Sequence, residues 1–94
     1  MFRWDPRKAE ANTAKHGVNF AGAATVFLDA DAREGPDLQH SGTEARFRRL
    51  GRSGAGRVLM VVYTRRKSEN GEAIRLISAR RASRRERRAY AATD

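Results

Sequence analysis

The stretch RVLMVVYTR, Arg57 to Arg65, is rich in β-branched and aromatic residues and puts apolar side chains on both faces of an extended chain. Such a segment is stable only as a central strand covered on both sides, so it commits the chain to a sheet with packed layers. At 94 residues and without cysteine, the chain has neither a disulfide framework nor a thiolate metal site to supplement one small core. Burial alone must hold it. Hydrophobic residues make up 39% and charged residues 33%, yet the apolar positions gather into periodic blocks, the mark of a folded domain. One domain over residues 1–94 follows. No apolar run approaches the ~18–20 residues of a membrane span, and the start MFRWDPRK lacks the apolar stretch of a secretory signal. The expectation is a cytoplasmic protein with no membrane partner.

Other segments supply the layers. Asp5-Pro6 signals a helix start, because an Asp cap accepts a backbone N–H and proline at the first position forfeits no helix hydrogen bond. Gly17 stops that helix. A second helix begins at Asn19, with Phe20, Ala23, Ala24 and Phe27 on one face. Val26 and Phe27 are expected in the core, as are Phe2 and Trp4. Residues 29–43 read as a connecting loop, with room for a short strand. EARFRRLGR, Glu44 to Arg52, predicts a strand with Ala45 and Phe47 inward and Glu44, Arg46 and Arg48 on the opposite face. AIRLISARR, Ala73 to Arg81, predicts another, joined to the central strand through a loop containing Asn70-Gly71. Ser83 opens a last helix, and Ser83-Arg84-Arg85-Glu86 has the S-x-x-E pattern of a capping box that ties Glu86 to its own helix. The expected fold is α+β: two N-terminal helices, an antiparallel sheet of three to four strands and a C-terminal helix. The fourth strand, Phe2 to Trp4, is optional.

Charge is divided unevenly. The net charge is +9, but residues 1–45 carry a net −2 and residues 46–94 a net +11. Arginine dominates the second half, and its planar fork of donors suits phosphate better than an ammonium does. A polyanionic partner follows, RNA or DNA first, with an acidic protein segment as the alternative.

Three blocks, Trp4 to Asp29, Asp37 to Gly51 and Leu76 to Tyr90, carry the motifs WD-x-x-K, KHG-x-x-F and ISAR-(x)5-ER-x-x-Y in order. In that combination the chain resembles the BrnT family of bacterial type II toxins, with a longer loop around Lys67 to Glu72. The resemblance implies a RelE-like fold and a ribonuclease that inhibits translation. It also implies a ribbon-helix-helix antitoxin of the BrnA type, with operator DNA bound only through the toxin–antitoxin complex.

Metal-free RNA cleavage needs a base for the 2′-hydroxyl, cations for the charged phosphorane and an acid for the leaving oxygen. His16 and His40 are the two side chains that titrate near neutrality without help. His16 is also explained as a cation at a helix C-terminus, and His40 as a solvated loop residue. They lack zinc-site spacing, so neither a metal nor an organic cofactor is expected. Glu44 is a base candidate or half of a surface ion pair. Arg80 is the best single choice for the phosphorane, since Ile77 and Ala79 pack inward beside it and RelE-like folds carry phosphate-contacting cations there. Arg65, ending the neighbouring strand, completes a clamp with Arg80 or is a solvated edge charge. For holding RNA the candidates are Lys8, Arg46, Arg48, Arg84, Arg85, Arg88 and Tyr90. For Tyr90 the other reading is a seal between helix and sheet, and for Lys8 a solvated helix face. Asn12 and Lys15 have capping or helix-surface explanations. A non-catalytic module whose arginines only track a nucleic-acid backbone is the rival to an enzyme.

Overall fold

A computed structural model describes residues 1–39, 42 and 44–92. Helix α1 (Pro6–His16) begins as its caps require: the Asp5 carboxylate accepts the Arg7 N–H at 2.8 Å with Pro6 in the first turn. It ends at Gly17, whose φ of 69° is the left-handed geometry that glycine takes without a Cβ clash. Asn19 caps α2 (Phe20–Ala24), which tightens at once into a 3-10 turn, Thr25–Leu28. Phe20, Ala23 and Val26 are buried and Phe27 is half-buried, so the expected apolar face exists but is shared by two short turns of helix.

The strands are β1 (Phe2–Arg3), β2 (Arg33–Pro36), β3 (Arg46–Arg52), β4 (Val58–Ser68) and β5 (Gly71–Arg81), and α3 (Arg84–Ala91) closes the chain. They form one sheet in the order β1-β5-β4-β3-β2. The α+β class is as expected, but among the described residues the sheet has five strands, not three to four, and is mixed, because β1 runs parallel to β5. β1 is the optional strand at Phe2 to Trp4 and β2 the short strand allowed for in residues 29–43, and both are edge strands. Backbone pairing with a long neighbour creates them, and apolar periodicity barely marks them. The Arg57–Arg65 segment is central, as predicted. The expected loop at residues 67–72 is largely hairpin instead: β4 and β5 pair as far as Ser68 and Gly71, leaving Glu69 and Asn70 as the turn. Gly71, at φ 108°, is the residue that needs a positive φ there.

Alternation along β4 sorts the two layers. Leu59, Val61 and Tyr63 point to α1 and α2, joining Phe20, Val26, Leu76 and Ala79 in the main core. Met60 points the other way and packs with Leu50 and Ala82, against which Val58 and Tyr90 lean from β4 and α3. Only part of that second face is covered by α3. Phe2 and Trp4 are each 37% exposed and so are not core; they cap the main core from its rim, Phe2 against Phe27 at 5.1 Å and Trp4 against Phe20 at 6.0 Å between ring centroids. Ala45 is exposed, ahead of the strand it was expected to join.

Two side chains finish what the short edge strands leave open. Beyond β1 the Ala79 peptide groups on β5 have no strand beside them, and the buried Asn12 carboxamide replaces one. It accepts the Ala79 N–H at 3.0 Å and donates to the Ala79 carbonyl at 2.8 Å and the Val18 carbonyl at 2.9 Å. Asn12 is therefore not a helix-surface residue. On the other edge, before β2 begins to pair, the Asp29 carboxylate accepts the Arg52 N–H at 2.7 Å and the Tyr90 hydroxyl at 2.6 Å. Those two bonds, the first of them dominant, hold the Asp29 carboxyl below its usual range.

Candidate active site

The uncovered part of the α3 face is a groove of about 260 Å³ that runs across β3, β4 and β5. The register sets its floor in rows: Arg48, Val62 and Ser78 lie side by side, with Leu50, Met60 and Arg80 in the row toward α3 and Arg46, Thr64 and Arg75 in the row away from it. Neighbouring strands are ~4.8 Å apart and successive same-face residues ~6.8 Å apart. The guanidiniums of Arg46, Arg48 and Arg80 thus reach one shallow surface from two strands, around a half-buried apolar strip. Asp37, 4% exposed just after β2, lines the same groove, and its N–H donates to the Arg46 carbonyl at 2.8 Å.

Arg80 is held at the α3 end of the groove. Its Nη1 and Nη2 donate to the two carboxylate oxygens of Glu86 at 2.7 and 2.9 Å, and Nη1 also reaches the Arg81 carbonyl at 3.2 Å. Glu86 does close the capping box, accepting the Ser83 N–H at 2.8 Å while Ser83 Oγ accepts the Glu86 N–H at 3.1 Å. The same carboxylate therefore fixes the start of α3 and the orientation of Arg80. The hydrogen bonds from Arg80 pull the Glu86 carboxyl down to about 2, and the pairing raises Arg80 in return. Of the five N–H donors of Arg80, Nε–H and one on Nη2 remain uncommitted among the described residues. They are adjacent, the side-on fork that matches two oxygens of a phosphate.

Glu44 lies ahead of β3, not within it, and pairs with Arg66 on β4 at 3.0 Å. Arg66 has the same facing as Met60 and Val62, two alternating positions beyond Val62, so the pair sits on the groove face at the end away from α3.

The clamp expected between Arg65 and Arg80 does not form. Arg80 lies opposite Met60, whereas Arg65 alternates with Tyr63 and Val61 and faces the other layer. There it stacks on Phe47 at 4.6 Å and bonds Glu34, which also holds Arg49 at 2.8 Å. His16 and Lys8 belong to α1, which packs on β5 from that same opposite layer and is tied there by Asn12. Neither lines the groove. His40 lies outside the described residues. Arg84, Arg85 and Arg88 are exposed along α3. Tyr90 is the seal of the alternative reading: its ring packs on the second core, its hydroxyl donates to Asp29, and Arg52 lies 5.6 Å over the ring.

Two polar groove residues, Asp37 and Ser78, were not among the sequence candidates for the site, nor were Glu86, which holds Arg80, and Arg75, which shares the groove's face of the sheet. Ser78 follows from simple alternation back from Arg80, but an extra residue at Ile77, where Val62 pairs Ser78 and Tyr63 pairs Leu76, shifts the phase before Arg75. Asp37 carries no local signal at all. Its place depends on β2 reaching the sheet edge.

A family model described as the ribonuclease toxin, BrnT, of type II toxin-antitoxin systems matches residues 4–86. Among solved structures, the crystal structure of the ribonuclease toxin BrnT of Brucella abortus superposes with a TM-score of 0.64 at 26% identity, covering 89% of this chain and 99% of that one. No curated protein sequence matches the chain significantly.

Proposed function

The chain belongs to the BrnT family of ribonuclease toxins of type II toxin–antitoxin systems, and we propose that it cuts RNA in the sheet groove without a metal ion, stops translation by doing so, and is neutralised by a ribbon-helix-helix antitoxin. The observation that carries this reading is the posture of Arg80. Its guanidinium is anchored by Glu86 and Arg81 on one side and keeps a free two-donor fork on the other, in a groove that Arg46 and Arg48 also line.

In this mechanism Arg46 and Arg48 hold the backbone on the groove floor. Glu44, paired with Arg66 about 20 Å along β4 from the Arg80 row, lies too far away to serve the same phosphate, and the proton of the 2′-hydroxyl passes to water. The 2′-oxygen then attacks phosphorus, the bond to the 5′-oxygen breaks, and that oxygen leaves as a hydroxyl after taking a proton from water. The fork of Arg80 meets the charge that grows on the non-bridging oxygens, a donor fixed before the reaction and therefore needing little reorganisation during it. Glu86 is a positioning residue: it touches no substrate and acts through Arg80.

The test is cleavage of RNA by the purified protein in EDTA. Fragments ending in a 2′,3′-cyclic phosphate, opposite 5′-hydroxyl ends, are expected. Binding without cutting, on free RNA and on ribosomes alike, would make the chain a non-catalytic RNA-binding module. The partner reading is tested in the genome, where an adjoining reading frame should encode a short ribbon-helix-helix protein; an isolated gene would count against it.

A further inference from the structure

A second basic cavity, about 450 Å³, opens on the other side of α3, where the end of β3, the β3–β4 turn, the end of β5 and the last turns of α3 meet. Four guanidinium-bearing residues line it, Arg52, Arg57, Arg81 and Arg87, with no acidic residue among its lining. None of the four has an ion pair among the described residues, in contrast to four arginines elsewhere in the fold. Arg49 and Arg65 are neutralised by Glu34, Arg66 by Glu44 and Arg80 by Glu86. Among the described residues the anchors in the cup are neutral: Arg52 donates to the Gly56 carbonyl at 3.0 Å and Arg87 to the Ala82 carbonyl at 2.8 Å. The neighbouring carboxylate, Asp29, is occupied by the Arg52 and Asp31 backbone N–H groups and the Tyr90 hydroxyl, not by a guanidinium. Gathering like charges without a counter-charge is unfavourable, and a bound polyanion removes that cost.

We propose that this cup is a second phosphate site, which holds the RNA strand beyond the nucleotides that occupy the groove. The proposal rests on the ribonuclease reading of the groove. Arg80 and Arg81, successive residues of β5, line one site each, and the two cavities share no lining residue. A strand leaving the groove past Arg80 therefore meets the cup within a few nucleotides. Arginine forks suit phosphodiester oxygens, and a site made of charge without base-edge readers tracks backbone without reading sequence. The cup is thus expected to strengthen binding of long substrates and to leave the choice of cleavage site alone.

Arg57→Ala/Arg81→Ala tests this cleanly, since neither side chain has a hydrogen bond or ion pair among the described residues and the fold should be indifferent to their loss. Full-length protein is assayed on a trinucleotide that fills only the groove and on a single-stranded RNA of roughly 16 nucleotides, with Arg7→Ala on α1 as a surface-charge control. On the long RNA, KM should rise roughly 5–10-fold with kcat kept, and the slope of log KM against log salt should fall by about 1.4, ~0.7 for each phosphate no longer neutralised. The trinucleotide should be cut as before. An unchanged KM on the long RNA, or equal losses on both substrates, overturns the proposal. If the wild type cuts neither RNA, the ribonuclease reading fails instead, and anisotropy of the same labelled long RNA still decides whether the cup binds it. Unchanged RNA affinity with lost binding of a poly-glutamate peptide would identify an acidic-protein docking site, and would also overturn it.

Discussion

At the residue scale, the pairing of Arg80 with Glu86 separates catalysis from binding. Arg80→Ala removes a preorganised donor from the developing charge, so kcat is expected to fall on the order of 10²–10³ while RNA affinity changes little. Arg88→Ala, on the exposed face of α3, should instead lower affinity and activity together at low RNA concentration. Equal behaviour of the two variants would reduce Arg80 to one more backbone-binding cation. Glu86 makes a prediction in pH. Its carboxyl titrates at about 2 in the folded protein against 4.5 as the ordinary value, so protonation favours the unfolded chain. Its stabilising contribution is complete above pH ~4.5 and is lost as pH falls toward ~2. Glu86→Gln should therefore melt below the wild type at pH 6, and the gap between them should close across that window. A gap independent of pH would mean that the ionised carboxylate contributes nothing beyond its shape.

At the scale of elements, the edges of the sheet are where this fold depends on single side chains. Asn12 replaces a strand beside Ala79, so Asn12→Leu keeps the bulk but leaves the Ala79 N–H and carbonyl without partners in a buried place and the Val18 carbonyl with the Thr13 hydroxyl at 3.4 Å. The expected cost is about 2–4 kcal/mol, a fall in Tm of roughly 10–20 °C for a domain of this size. A melting curve close to the wild type would show that water satisfies those groups as well as the carboxamide does. The Asp29–Tyr90 bond makes the smaller counterpart: Tyr90→Phe should cost about 0.5–1.5 kcal/mol and loosen the end of α3, read as faster amide exchange in its last turn.

For the whole molecule, the distribution of charge sets how RNA is met. The paired arginines, Arg49, Arg65, Arg66 and Arg80, are those closest to the fold's own carboxylates, while Arg84, Arg85 and Arg88 extend along exposed α3 next to the groove and the cup. Affinity for single-stranded RNA should fall steeply with salt, and replacing all three α3 arginines by alanine should reduce the slope of log K against log salt by about 2, at ~0.7 per phosphate that each arginine neutralises. A flat salt response in the wild type would mean that the basic half serves a partner other than nucleic acid.

What could be read from the chain itself is what depends on neighbours in sequence. The caps at Asp5, Gly17, Asn19 and Ser83, the central strand at Val58 and the arginine-rich second half are all local patterns, and the structure has each of them. The α+β class and the groove face of Arg46, Arg48 and Arg80 follow from period-two alternation along strands that were legible. Interactions between residues distant in sequence decided the rest. The expected strand at Phe2 runs parallel to β5 because Ile74 and Arg75 offer it a partner, and Asn12 became a core residue because β1 stops short of Ala79. Arg65 left the site because its side of β4 faces the helices, and Glu86 joined it because α3 folds back over the sheet beside Arg80. The four-arginine cup has no sequence signature, since residues 52, 57, 81 and 87 meet only when two hairpins and a helix are stacked. Local propensity acts over a few residues, whereas a site is assembled by side chains brought together through register and packing, which only the complete fold supplies.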